Sequence, residues 1–152
     1  MAILTQNQIG SKISFGRMTV MNGYTGATFP VTATLQEVST ANSLSVAWVL
    51  SSNSSDFSLP SDGNLTYTGI KPRVFMVDYS ITSNAGTRIQ VALYKNGSLA
   101  HTTYGQGLSE TGARGQRIDL VNGDDLTLWI AQAAGSGTLT IYFGQLSVWS
   151  QD

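Results

Sequence analysis

Residues 73–81 read RVFMVDYSI and place four apolar side chains in succession, Val74, Phe75, Met76 and Val77. A strand sends successive side chains to opposite faces, so this stretch needs cover on both. LWIA at 128–131 and IYF at 141–143 pose the same demand. RIQVALYK at 88–95 does not: Ile89, Val91 and Leu93 fall on one face, with Arg88, Gln90, Ala92 and Tyr94 on the other. That is the pattern of a strand with one wet face. At about 25 cal/mol per Å², leaving Phe75, Trp129 and Tyr142 in water would forgo roughly 1.5–3 kcal/mol each. The economical expectation is that the three apolar strands share one sheet, covered by a partner sheet on one side and by a second copy of the chain on the other. The alternative is that loops and the N-terminal segment cover the outer face. Alternation does not decide which neighbour of each apolar pair faces inward.

Outward from that stretch, period-two runs bounded by Gly, Asn, Asp and Pro recur, and helical periodicity is nearly absent. Strands are expected near 15–21, 28–35, 44–50, 65–67, 73–82, 87–95, 99–104, 116–121, 125–133 and 137–149. Asn96-Gly97 and Asn122-Gly123 sit between such runs and suit the positive φ values of tight hairpins; Asn22-Gly23 is a weaker third. Pro30, Pro60 and Pro72 lie where a missing N–H does least harm. Residues 1–14, MAILTQNQIGSKIS, have only Ile3, Leu4, Ile9 and Ile13 as large branched apolar residues and read as an arm. Residues 15–152 read as one domain of about ten short strands, an antiparallel two-sheet sandwich or a barrel.

Composition narrows the function. Eight basic and nine acidic residues give a net charge of −1, without the Lys/Arg clustering that nucleic acid or an anionic membrane requires. Only 11% of the 152 residues are charged, so Ser, Thr, Asn, Gln and Gly carry the polarity. The absence of cysteine excludes disulfides, thiolate metal sites and Cys nucleophiles. No basic-then-apolar leader opens the sequence and no run of about 18 apolar residues occurs, so the expectation is a soluble protein made in a cytoplasm.

From Phe57 onward the signals follow a recognisable order: FSLPSDGNLTYTG, VFMVDYSI, IQVALYKNGS, a Gly-rich excursion, IDLVNGDDLTLWI and TLTIYFGQLSVW. This order resembles the tumour-necrosis-factor-like jelly roll, also found in complement globular heads, and in particular its short versions on bacteriophage and other virus particles. The landmarks are the apolar strand, YKNG closing a hairpin, the Leu120, Gly123, Asp124, Leu126, Leu128 pattern, and a hydrophobic last strand. The resemblance implies a ten-stranded jelly roll that assembles as a tight homotrimer. The expected subunit contact is drawn from Phe75, Val77, Tyr79, Trp129, Tyr142 and Phe143.

Chemistry is sparse. His101 is the only histidine; it lacks a nucleophile elbow nearby and is expected at the surface. Asp124 and Asp125, being adjacent, should point to opposite faces and form no acid/base pair; Asp124 is expected to receive turn N–H bonds. Residues 105–117, GQGLSETGARGQR, lack the phosphate-loop spacing and read as a solvated loop or subunit contact. No catalytic residue, metal or cofactor is expected. The resulting expectation is a non-enzymatic virion protein, a homotrimeric decoration or cement protein on the outer face of a phage-like capsid. Its arm, through Ile3, Leu4, Ile9 and Ile13, would meet the major capsid protein. The alternative is the receptor- or glycan-binding tip of a tail fibre, with Tyr24, Phe57 and Tyr104 on outer loops stacking on sugars.

Overall fold

The computed structural model describes residues 13–21, 25–106, 110–133 and 135–150. Among these described residues twelve strands follow in chain order: β1 (Phe15–Met21), β2 (Ala27–Val31), β3 (Gln36–Glu37), β4 (Val49–Leu50), β5 (Phe57–Ser61), β6 (Asn64–Tyr67), β7 (Arg73–Ser83), β8 (Arg88–Lys95), β9 (Ser98–Gln106), β10 (Glu110–Leu120), β11 (Asp125–Gln132) and β12 (Gly137–Ser150). They form two antiparallel sheets. The first runs β10-β7-β12-β1-β4, with β2 also on β12; the second runs β5-β6-β11-β8-β9, with β3 also on β11. This is the expected all-β jelly-roll sandwich.

The three doubly apolar stretches do not share a sheet. β7 and β12 are neighbours in the first, whereas β11 lies at the centre of the second. Facing strands from both sheets supply the core, where Phe57, Tyr67 and Phe75 pack ring on ring with centroids 5.0–5.5 Å apart. Tilted and edge-on packing at this distance suits the aromatic quadrupole.

Local chemistry explains the connections. Asn96 and Gly97 have φ of 48° and 74°, the paired positive values that let β8 and β9 close a two-residue hairpin. Asn122-Gly123 behaves differently. Only Gly123 has positive φ, at 90°, and the Asp124 amide donates to the Val121 carbonyl at 3.0 Å, so this is a type II turn. It carries the chain from β10 in one sheet to β11 in the other and is not the expected hairpin. Asn22-Gly23 lies outside the described residues.

Two expected boundaries are corrected. Residues 110–117, read as part of a loop, are the first eight of the 11 residues of β10, and β9 continues to Gln106. In the expected strand 44–50 only Val49 and Leu50 are extended into the ladder. Trp48 instead turns inward, its indole N–H donating to the Val38 carbonyl at 2.6 Å, while Asp62 accepts from the backbone amides of Trp48 and Thr40.

Asp124 is the anchor of the β10–β11 turn. Its carboxylate accepts from the Val121 amide at 2.8 Å and the Asn96 side-chain amide at 2.7 Å, and pairs with Lys95 at 2.9 Å. Burial pushes its pKa up, but these three partners outweigh that and hold the carboxyl below its ordinary value. A depressed folded-state pKa contributes stability above the unfolded-state value and loses it as pH falls through the folded one. Unfolding free energy is therefore expected to drop on acidification below about pH 4. Asp124→Asn should cost about 1–2 kcal/mol at neutral pH and flatten that acid limb in denaturant titrations.

Candidate functional site

Alternation along β7 sends Phe75, Val77, Tyr79 and Ile81 into the sandwich, all at most 1% exposed within a single chain. Val74, Met76, Asp78, Ser80 and Thr82 are left on the outer face. The expected contact residues Phe75, Val77 and Tyr79 are therefore core, and the outer member of each pair is the one available to a partner.

Register then assembles the outer face of the first sheet in rows. Phe15 of β1 stands opposite Trp149 of β12, Trp149 opposite Met76 of β7, and Met76 opposite Arg117 of β10. Phe15, Trp149 and Met76 are each half-buried, whereas Arg117 is exposed. Arg17, Ser147 and Asp78 form the next row, then Thr19, Gln145, Ser80 and Gly112, then Phe143, Thr82 and Glu110. The face thus has an apolar row at one end and polar rows through its middle.

The polar rows are incompletely satisfied. Arg17 donates from Nη2 to the Gln145 amide oxygen at 2.8 Å, yet its buried Nε and the buried Ser80 hydroxyl have no hydrogen-bond partner among the described residues. Asp78 accepts from the Gly115 amide at 2.7 Å. Gly115, at φ 65°, lies within the bulge that shifts β10 against β7 between Ala113 and Gln116, a left-handed position suited to glycine. At the β1–β4 edge a cleft of about 500 Å³, lined by Arg17, Thr19, Val49, Leu50, Ser51 and Ser52, adjoins this face. Val49 on its rim is 63% exposed.

The other expected contact residues are dispersed. Phe143 belongs to the outer face just described. Tyr142 sits at a bulge in β12, where the register against β7 shifts, and is 37% exposed. Trp129 is on the opposite side of the molecule, on the outer face of the second sheet, stacked on Tyr94 with centroids 4.5 Å apart. Its indole N–H donates to Thr127 at 2.9 Å. On the second face of β11 Trp129 is thus half-buried against its own chain. Of the sugar-stacking candidates, Phe57 is buried in the core and Tyr104 is exposed on β9; Tyr24 lies outside the described residues.

Of the arm, Ile3, Leu4 and Ile9 lie outside the described residues, and Ile13 is 63% exposed. Ser14 is already tied to the domain: its amide donates to the Ser150 hydroxyl at 3.0 Å, its carbonyl accepts from the Ser150 amide at 2.9 Å, and its hydroxyl donates to Asp56 at 2.6 Å. The first and last described strands therefore open and close at one end of the sandwich. That end also presents Ile70, 94% exposed, and Val121, 48% exposed. Beside them is an apolar cleft of about 240 Å³ between Pro72–Val74 and Asp119–Val121.

His101 is not the surface histidine expected. It is half-buried on β9, and its Nδ1 lies 2.6 Å from the Tyr79 hydroxyl, joining the two sheets. Burial pushes the Tyr79 phenol up to about 12. Asp124 and Asp125 do diverge, Asp125 accepting from Thr66 at 2.6 Å on the outer face of the second sheet. Among the described residues no group of three His, Asp or Glu side chains is placed to hold a metal ion.

No family model matches the sequence, and no curated protein matches it. Solved structures do match the fold. Murine APRIL superposes with a TM-score of 0.62 at 11% identity, covering 91% of this chain and 99% of that one. Eiger TNF from S. frugiperda gives 0.57 at 11% identity over 92% and 93%, and the globular domain of zebrafish complement 1qA gives 0.55 at 13% over 91% and 96%. At such identities the likeness carries the fold and nothing further. The chain has the tumour-necrosis-factor-like jelly-roll fold.

Proposed function

We propose that this chain is a non-enzymatic structural protein that closes into a homotrimer through the outer face of its first sheet and decorates the outer surface of a phage-like protein shell. The observation that carries the self-association is the composition of that face. A half-buried row of Phe15, Trp149 and Met76 borders an arginine Nε and a serine hydroxyl that are buried without partners among the described residues. Unpaired buried polar groups cost about 1–3 kcal/mol each, a cost that a neighbour's donors and acceptors remove. The β1–β4 cleft shares Arg17 and Thr19 with the face and continues it round the sheet edge to Val49 and Ser52. A copy seated with its edge against the next copy's cleft makes a head-to-tail contact, which closes into a ring when the rotation permits. A threefold ring matches the local threefold positions of an icosahedral shell.

The partner would be the major capsid protein, met at the end where Ser14 and Ser150 are joined. Exposed Ile13, Ile70 and Val121 at that end, beside the Pro72–Val121 cleft, give it an apolar surface, to which the arm residues Ile3, Leu4 and Ile9 would add. The protein would be made in the host cytoplasm and reside on the virion surface. Removal of residues 1–12, which spares the Ser14 bonds, is expected to abolish sedimentation with purified shells while leaving trimer mass and melting unchanged. Undiminished shell binding by the shortened protein would remove the arm from the mechanism.

A further inference from the structure

The opposite end of the molecule carries a small pocket of different character. Arg88, Gln90, Tyr104 and Gln132 line it with Ile89 and the alanines 33, 131 and 133, around a volume of about 140 Å³. β8 begins here and β9 and β11 finish here. Gln90 stands opposite both Tyr104 and Ala131, and Ile89 opposite Gln132. The backbone closes the site: the Ala133 amide donates to the Arg88 carbonyl at 2.8 Å, and the Gln132 amide to the Thr32 carbonyl at 2.9 Å. Ala131, buried, forms the floor.

The Arg88 guanidinium lies over the Tyr104 ring, 4.4 Å from its centroid. That contact fixes the plane of the cation and leaves its N–H edge for an acceptor. No carboxylate pairs with Arg88 among the described residues; the ion pairs there are Lys95–Asp124 and Arg114–Glu110. The Gln90 amide is oriented by donating to Thr102 at 2.9 Å. A volume of about 140 Å³ is close to the roughly 150 Å³ of a cavity that takes a benzene ring, enough for the carboxylate and one face of a larger ring whose remainder stays in solvent.

From this arrangement we infer that the Arg88–Tyr104 pocket binds a pyranose bearing one carboxylate, a sugar of the uronic-acid class. The guanidinium edge takes the carboxylate bidentately. The Gln90 amide takes a ring hydroxyl, and the alanine methyls with Tyr104 meet the apolar C–H face. The pocket belongs to a single chain and lies at the end away from Ser14 and Ser150. It therefore faces outward on a decorated shell, and it stands or falls independently of shell binding.

The test is an amide-resolved NMR titration of the full-length protein with methyl β-D-glucuronide, with methyl β-D-glucoside and sodium acetate in parallel. Saturable shifts at Ile89, Gln132 and Ala133 are expected with the glucuronide at millimolar concentration, the other two probes binding at least about tenfold more weakly. Arg88→Lys and Tyr104→Ala should each lose about tenfold in affinity with unchanged melting, the lysine because it keeps the charge and loses the planar fork. Acetate binding as tight as the glucuronide, no saturable shift with the glucuronide, or full affinity in Arg88→Lys would each overturn the assignment.

Discussion

Phe75→Ala is expected to lower the unfolding free energy by about 3–5 kcal/mol, the largest stability effect of any single truncation considered for this chain. The ring is fully buried, packed edge-on against Tyr67 at 5.0 Å and Phe57 at 5.5 Å. One partner comes from β6 and the other from β5, so its removal opens a void between the sheets that neither strand can collapse to fill. Domains of this size are stable by about 5–15 kcal/mol, so the variant would sit near the edge of folding. Urea titration followed by tryptophan fluorescence measures it. A loss below about 1 kcal/mol, with self-association impaired instead, would return Phe75 to the subunit contact and reverse the facing assigned to β7.

That reversal is worth testing because the sequence left the matter open. The run Val74–Val77 states that both faces of a strand are covered, and both are, but an apolar pair does not say which member the other sheet takes. Asp78 and Ser80 share the side of Val74 and Met76 by alternation, and the structure turns that side outward, so the residues after the apolar run carry the facing that the run itself does not. The stretch around Trp129 shows the limit of the same reading. Trp129 on its outer side is half-buried by a stack on Tyr94 and flanked in the sheet by Glu37 of β3, two elements of the same chain, so a doubly apolar run does not by itself require a second copy.

Glycine misled in an instructive way. Residues 105–117 read as a loop because Gly105, Gly112 and Gly115 look like punctuation. Only Gly115 has positive φ among them. At Gly105 a Cβ would collide with the Thr111 side chain, and at Gly112 with the Tyr79 carbonyl, so these two glycines permit close approach within strands instead of bending the chain. The dipeptide Asn-Gly was equally two-sided. It closes the β8–β9 hairpin at residues 96–97, but at 122–123 it carries the chain across the sandwich, because local φ preferences do not specify which sheet the next strand joins. The Arg88–Tyr104 pocket was out of reach for the same reason: its members are far apart in sequence and meet only through register. The one hint was Tyr104 itself, an aromatic expected on an outer loop; the structure places it exposed on β9.

Trp149→Asp is expected to convert the assembly to monomers, shifting the mass by light scattering from three times 16.2 kDa to 16.2 kDa. Trp149 stands between Phe15 and Met76 in the apolar row of the first sheet. A neighbour's cover over that row would take a new carboxylate out of water without a counter-charge, at a cost of several kcal/mol in each of three contacts. In the free chain the residue is only half-buried, so the carboxylate can reach solvent and the monomer should stay folded, with Met76→Arg as an independent repeat. Trp129→Asp supplies the contrast. Its ring lies on the second sheet, and losing the Tyr94 stack should cost about 0.5–1.5 kcal/mol beyond its area burial while leaving the mass unchanged. If Trp129→Asp dissociates the protein and Trp149→Asp does not, the contact lies on the second sheet. A native protein that stays at 16.2 kDa would instead mean that the arm or solvent covers the Phe15–Met76 row, and the threefold ring would have no physical basis.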